Sequence, residues 1–506
     1  MLAESARQQP QEPGARLAGF ALLVLALGVF AMACAHLWRF TVDDAYITLR
    51  YARSVAAGLG PVYNATGPRA EGYTSPLWMA LLVVPHLLRA DAVVTAKVLG
   101  VLATLAGAWL ARRLATEAGA GSWRPDAAAA LYFALPATAV HAVSGMETAF
   151  FTMLLTALFA AAARAIRCGR GSPLVPTASL LLGLTRPEGA LAAVLVLAVT
   201  AWHLTPQERR RLGRWTLLLY ALPFTAYAAW RWSYYGLPFP LPFYVKLAHP
   251  GTLPGAPDVL AWLQRHALHA GVLALAALAP PPRTLRPAAL ALAALVAFFL
   301  LPQHLMGYQG RYLAPLDPLV CALAAVGLAR LALALQRVAP RALAMALPLL
   351  AFVAMDAWQV RGLDKTFADR LTYADGLAAA HEPLGRELAA LQMPGATLAL
   401  SDGGAVPYLS GWWTLDLIGL NDRDFALTHA RDPARVLALA PDVVVLVSRM
   451  RETFQPWDWN AYEAPLAHSL ASHGYRHVST RRFADDYWLW VLCRPGSRFA
   501  AALGSH

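Results

Sequence analysis

Cysteine is scarce in this sequence, and its four positions exclude a disulfide framework. Cys34 and Cys321 lie in apolar runs, Cys168 sits in a basic loop, and Cys493 stands alone in the polar C-terminal region. No Cys or His spacing matches a metal site. Charge is sparse too, at 14% of 506 residues, so acids and bases in the apolar part can be weighed one by one. The phosphate-loop patterns GxGxxG and GxxxxGK are missing, which argues against a nucleotide-binding loop. No internal repeat or low-complexity tract stands out.

What the chain has in abundance is apolar sequence: 58% of residues are hydrophobic, and runs of membrane-spanning length recur. That defines a polytopic membrane protein. The first run, Leu17 to Leu37, is longer than a signal-peptide core and is read as an anchor. The following runs are approximately Pro76–Leu88, Ala92–Ala111, Ala127–Val140, Ala149–Ala165, Leu174–Leu184, Ala190–Leu204, Trp215–Trp232, Val259–Ala279, Ala288–Leu305, Leu313–Leu335 and Leu343–Met355. The net charge of +12 does not point to nucleic acid, because the arginines cluster in short loops between these runs. Arg112, Arg113 and Arg124, then Arg164 to Arg170, Arg209 to Arg214, Arg283 and Arg286, and Arg330 to Arg341 mark cytoplasmic loops. The opposite loops and everything after Asp356 are then external. Parity fails near the N-terminus: either Pro76–Leu88 does not cross fully or a segment near Gly145 is re-entrant. The expectation is about eleven crossings.

The longest polar interval of the N-terminal third is Thr41 to Trp78. It opens on adjacent carboxylates, Asp43 and Asp44. Asp43, Tyr46, Arg50 and Arg53 recur at three- and four-residue steps and share one helix face. Gly58 stops that helix, Gly60-Pro61 turns the chain, and Glu71 and Tyr73 return in EGYTSP. Paired carboxylates suit general-base work or a divalent cation, and guanidiniums suit a phosphate-like group. Thr41 with Asp44 also reads as a capping-box variant. Capping gives Asp44 a structural duty and leaves Asp43 without one, so Asp43 is the expected base and Asp44 the residue that positions substrate or metal.

DDAYITLRYARSVAAGLGPVYN followed by EGYTSPLW resembles the first external loop of bacterial terminal arabinofuranosyltransferases, polytopic GT-C glycosyltransferases that use polyprenyl-phosphate sugars. Weaker echoes follow: SGMETA with Glu147, TRPEG with Arg186 and Glu188, YGLPFPLPFYVK ending at Lys246, and GRYLAP with Arg311. Leu241 stands where the family form suggests asparagine. SDGGAVPYLSG and DLIGLND resemble the tail domain of the same family.

The resemblance implies a mainly α fold: a GT-C-type transmembrane helix bundle over residues 1–357, with an external loop at 39–75. An extracytoplasmic α/β domain would occupy residues 358–506. Thr397–Leu400, Val443–Val447 and Trp488–Leu492 read as strands and Gly376–Leu391 as a helix. Trp412, Trp413, Trp457 and Trp459 read either as a domain core or as a surface that stacks on sugars. Among remaining acids, Asp258 and Asp356 sit at run ends, and Asp317 is expected to pair with Arg311.

The expected activity is transfer of arabinofuranose or a similar pentose from a polyprenyl phosphate to an external glycan hydroxyl, at the bacterial inner membrane. Arg50, Arg53, Arg186, Lys246 and Arg311 would hold the lipid phosphate. A cavity should unite Asp43, Glu147, Glu188, Lys246 and Arg311. A divalent cation, if used, would sit on Asp43 and Asp44. The alternatives are transfer to lipid A or protein, a non-catalytic membrane factor of the flagellar-motor-control kind, or a transporter. The last is weakened by the lack of inverted repeats.

Overall fold

A computed structural model describes residues 13–120, 124–246, 252–269, 283–304, 306–338, 340–359, 363–391, 393–429, 431–496, 499 and 503. Helices dominate up to Gln359, and a five-stranded sheet with flanking helices lies beyond. Four described helices are long and apolar enough to cross a membrane: Gly19–His36, Ala92–Glu117, Thr148–Cys168 and Tyr308–Leu335. Pro76–Leu87, Leu174–Gly183 and Pro187–Trp202 are apolar but shorter.

The run read as Ala127–Val140 is not one helix. It breaks into Pro125–Ala134 and Pro136–Val143, bent by 69°. Leu135 is extended (ψ 122°), as a residue before proline tends to be, and Pro136 opens the second helix. The Ala92–Glu117 helix packs along Thr148–Cys168, and Arg124–Ala134 is wedged between Pro13–His36 and Asp317–Leu335. The core is built from small residues such as Ala127, Ala128, Ala324 and Ala325, which let helices approach closely.

The organising loop is structured as expected for its helix, Asp43–Ala56, but not for its cap. Val42 is the N-cap, with no side-chain cap hydrogen bond, so the Thr41–Asp44 capping box does not form. Asp317 does not pair with Arg311. It accepts from Trp262 Nε1 (2.8 Å) and His266 Nε2 (3.0 Å) instead.

After Leu363 the chain is helical to Ala390, through a wide turn at Leu377–His381, so the helix begins well before Gly376. The strands are β1 (Thr397–Leu400), β2 (Trp413–Asp416), β3 (Val443–Ser448), β4 (Arg476–Ala484) and β5 (Tyr487–Cys493), in the order β2-β1-β3-β5-β4. β1 is parallel to both β2 and β3, while β5 is antiparallel to β3 and β4. β2 and β4 were not legible: one is short and tryptophan-led, and the other is polar, irregular and on the edge. Trp412 and Trp457 pack with this unit's core, whereas Trp459 is 47% exposed.

All four cysteines are free thiols. The loop after β1, Ser401 to Gly404, meets the membrane half at Asp43.

Candidate active site

Arg311 and Lys246 reach one point from distant parts of the chain. Arg311 precedes the apolar helix Asp317–Leu335, and Lys246 ends the short helix Leu241–Lys246. Between them lies the buried ring of Tyr312, which also faces Arg186. Arg186 Cζ and Lys246 Nζ are each 5.2 Å from its centroid, and Arg311 Cζ is 5.7 Å away. Three cations therefore stand around one aromatic ring.

Carboxylates interleave with them. Arg311 donates to Glu147 Oε1 at 3.3 Å and reaches Asp44 Oδ2 at 3.5 Å. Arg186 Nε lies 2.8 Å from Glu188 and 3.7 Å from Glu147. Arg186, Arg311, Glu147 and Glu188 are buried, while 24% of the Asp44 side chain is accessible. Burial pushes Glu147 up, but Arg311 and Arg186 outweigh it and hold its carboxyl below the usual range. Burial raises Asp44, against the pull of Arg311 and Lys246. Arg186 Nη1 and Arg311 Nε are buried donors with no hydrogen-bond partner among the described residues, so each keeps capacity for an incoming acceptor. Lys246 makes no ion pair among the described residues.

The structure thus unites Asp44, Glu147, Arg186, Glu188, Lys246 and Arg311. Asp43 is not among them. Successive helical residues point about 100° apart, so the pair diverges. Asp43 Oδ2 and Oδ1 accept from Gly404 N (3.0 Å) and Ala405 N (2.7 Å), and its carboxyl is pushed up to about 6, chiefly by burial. Arg50 and Arg53 also leave the phosphate role open to others. Arg50 donates to the carbonyls of Tyr63, Pro407 and Trp412, and Arg53 to that of Tyr408. Tyr46 bonds Glu382, and Tyr73 bonds Tyr235.

Glu71 lies apart from the cluster and braces it. Its carboxylate accepts twice from Arg231 Nε (2.7 and 2.9 Å), and its backbone oxygen accepts from Leu241 N at 2.9 Å, fixing the start of the helix that ends at Lys246. The Leu241 side chain packs with Ala70, Val245 and Ala426, so the side-chain contact at that position is apolar. Arg231 and Tyr312 were missed as site residues. A lone arginine inside the apolar run Trp215–Trp232 was the signal for the first, and the aromatic after Arg311 for the second. No three His, Cys, Asp or Glu side chains converge on an ion-sized point among the described residues.

This arrangement of apolar helices, a charged cluster and a small sheet unit is the GT-C fold. The chain superposes on ArnT of Cupriavidus metallidurans in the apo state with a TM-score of 0.62 at 17% identity, covering 97% of this chain and 100% of that one. Against the same protein bound to undecaprenyl phosphate the TM-score is 0.60 at 17% identity, covering 94% and 98%. The sequence itself is similar to two terminal β-(1→2)-arabinofuranosyltransferases. That of Corynebacterium glutamicum is 33% identical over 257 residues, 43% of this chain and 35% of the relative. That of Mycobacterium tuberculosis is 31% identical over 243 residues, 43% of this chain and 37% of the relative. The alignments thus span little more than a third of those relatives. A domain of unknown function, DUF8728, matches residues 372–492.

Proposed function

We propose that this chain is a membrane glycosyltransferase that takes a pentose from a polyprenyl phosphate and passes it to a hydroxyl of a cell-envelope glycan. The observation that carries this reading is the cation cluster of Arg186, Lys246 and Arg311 around Tyr312, with unbonded donors on both guanidiniums and Asp44 at its edge. Such a cluster suits a lipid phosphate, and ArnT, whose fold this chain shares, has been crystallised with undecaprenyl phosphate. The similarity to arabinofuranosyltransferases supports the pentose and the glycan acceptor.

In the reaction, the bond between the anomeric carbon and the phosphate oxygen breaks, and one from the acceptor oxygen forms. Arg311, Lys246 and Arg186 meet the charge left on the phosphate. Asp44 takes the acceptor proton. It replaces Asp43 as the proposed base because both Asp43 oxygens already accept backbone N–H, whereas Asp44 is partly open. Glu147 and Glu188 hold the guanidiniums in place. The two aspartates turn to different neighbours, so a cation shared between them is not part of the proposal.

The test is purified protein in detergent with a radiolabelled polyprenyl-phosphate pentose and a glycan acceptor. Asp44→Asn should lower turnover by roughly 100- to 10,000-fold, and Arg311→Met and Lys246→Met should weaken polyprenyl-phosphate binding. A wild-type chain that transfers nothing, together with unchanged envelope glycans in a deletion strain, would favour the non-catalytic membrane factor.

A further inference from the structure

The helix face that carries Asp43, Tyr46, Arg50 and Arg53 is not empty, and what covers it is the C-terminal unit. Asp43 accepts from Gly404 N and Ala405 N, where the short helix Ala405–Ser410 begins. Tyr46 donates to Glu382 and its ring lies 5.5 Å from that of Tyr408. Arg50 and Arg53 donate to Pro407, Trp412 and Tyr408 carbonyls at the other end of that helix. The acid meets the N–H groups where that helix starts, and the guanidiniums meet carbonyls inside it and just past its end, so the organising loop grips the short helix at both ends. Gly404 makes the approach possible: a Cβ there would overlap the backbone oxygen and carboxylate of Asp43, while one on Gly403 would stand 3.4 Å from its nearest neighbours, Asp416 Oδ2 and Tyr63 Oη.

We propose that Asp43 is a positioning residue: its contact with Gly404 and Ala405 locks the C-terminal unit onto the organising loop and so aims Asp44, the next residue, at the cation cluster. Tyr373, whose hydroxyl accepts from Asp43 N at 3.1 Å, holds the same turn from the helix Leu363–Gly376. His381 and Asp402, paired at 2.8 Å, lie near enough for their charges to act on Asp43, and Tyr487 donates to Asp402. The inference rests on the proposed transfer reaction for its consequence but not for the seam itself.

The experiment compares Gly404→Ala with Gly403→Ala and Asp43→Asn in the full chain in detergent. Turnover, polyprenyl-phosphate affinity and amide hydrogen exchange at Gly404 and Ala405 are measured together. Gly404→Ala should lower kcat by about 100-fold, the scale expected from a displacement near 1 Å, speed exchange at both amides and leave lipid-phosphate affinity unchanged. Gly403→Ala should stay within about twofold of wild type, as a methyl in ordinary contact should. Asp43→Asn keeps the side chain's shape, so it decides the matter if Gly404→Ala fails to fold: its kcat should fall while the pH midpoint of the residual activity stays where it was.

Wild-type kcat in Gly404→Ala overturns the proposal. Loss of the acidic pH limb in Asp43→Asn overturns it too, because Asp43 would then be the base. An inactive wild-type chain with slow exchange at the two amides counts against the transfer reaction and leaves the seam standing. Exchange as fast in wild type as in Gly404→Ala removes the seam.

Discussion

Glu463 is the buried acid whose protonation matters most to the C-terminal unit. It accepts from Val447 N (2.7 Å), Asn460 Nδ2 (3.0 Å) and the Ser401 hydroxyl, and burial pushes its carboxyl up to about 8. In the unfolded chain the group returns to about 4.3. The folded value is the higher one, so the contribution is fully present below the unfolded value and is lost as pH rises toward 8. Glu463→Gln removes this titration. The melting temperature of wild type should therefore fall relative to Glu463→Gln between pH 5 and pH 8, and parallel curves would show that the group ionises freely in the folded state. Asp416, raised to about 6 by burial, is common to both proteins and cancels in the comparison.

Elements in the membrane half are set by how closely their backbones come together. A Cβ on Gly100, in the helix Ala92–Glu117, would overlap the carbonyl of Ala142 in the bent segment's second helix. A Cβ on Gly28 would meet nothing within 4 Å. Alanine favours a helix interior over glycine by about 1 kcal/mol. Gly28→Ala should therefore be neutral or slightly stabilising, whereas Gly100→Ala should cost about 1–3 kcal/mol through overpacking. Thermal unfolding of both in one detergent checks this, and equal midpoints would mean the bent segment is free to shift. The same packing sets the break at Leu135: the sequence shows Pro136 but not that the two halves diverge by 69°.

At the scale of the whole molecule the outward faces are apolar. Leu102, Trp109, Val194, Trp202, Leu217 and Leu222 are all more than half exposed and form lipid-facing surface on a chain of this class. Orientation is a proposal from loop charge: the Arg209–Arg214 loop inside, and the organising loop and the sheet unit outside. Reporter fusions after Arg211 and after Gly376 should give opposite signals, and matching signals would reverse this reading.

Composition and run length by themselves determined that this is a polytopic helical protein, and local patterns placed the Asp43–Ala56 helix and three of five strands. Those features depend on near neighbours in the chain, where hydropathy and periodicity act. Motif resemblance also named Glu147, Arg186, Glu188, Lys246 and Arg311 before anything showed that they meet. What spacing could not decide was the division of labour between Asp43 and Asp44. Both open the same helix, and the pattern assigned the cap to one and the chemistry to the other. The outcome turned on which partner arrived from far along the chain: Gly404 and Ala405, more than 300 residues away, took Asp43, and Arg311 took Asp44. A carboxylate's role is fixed by what desolvates it and what bonds to it, and those groups are brought together only by tertiary folding.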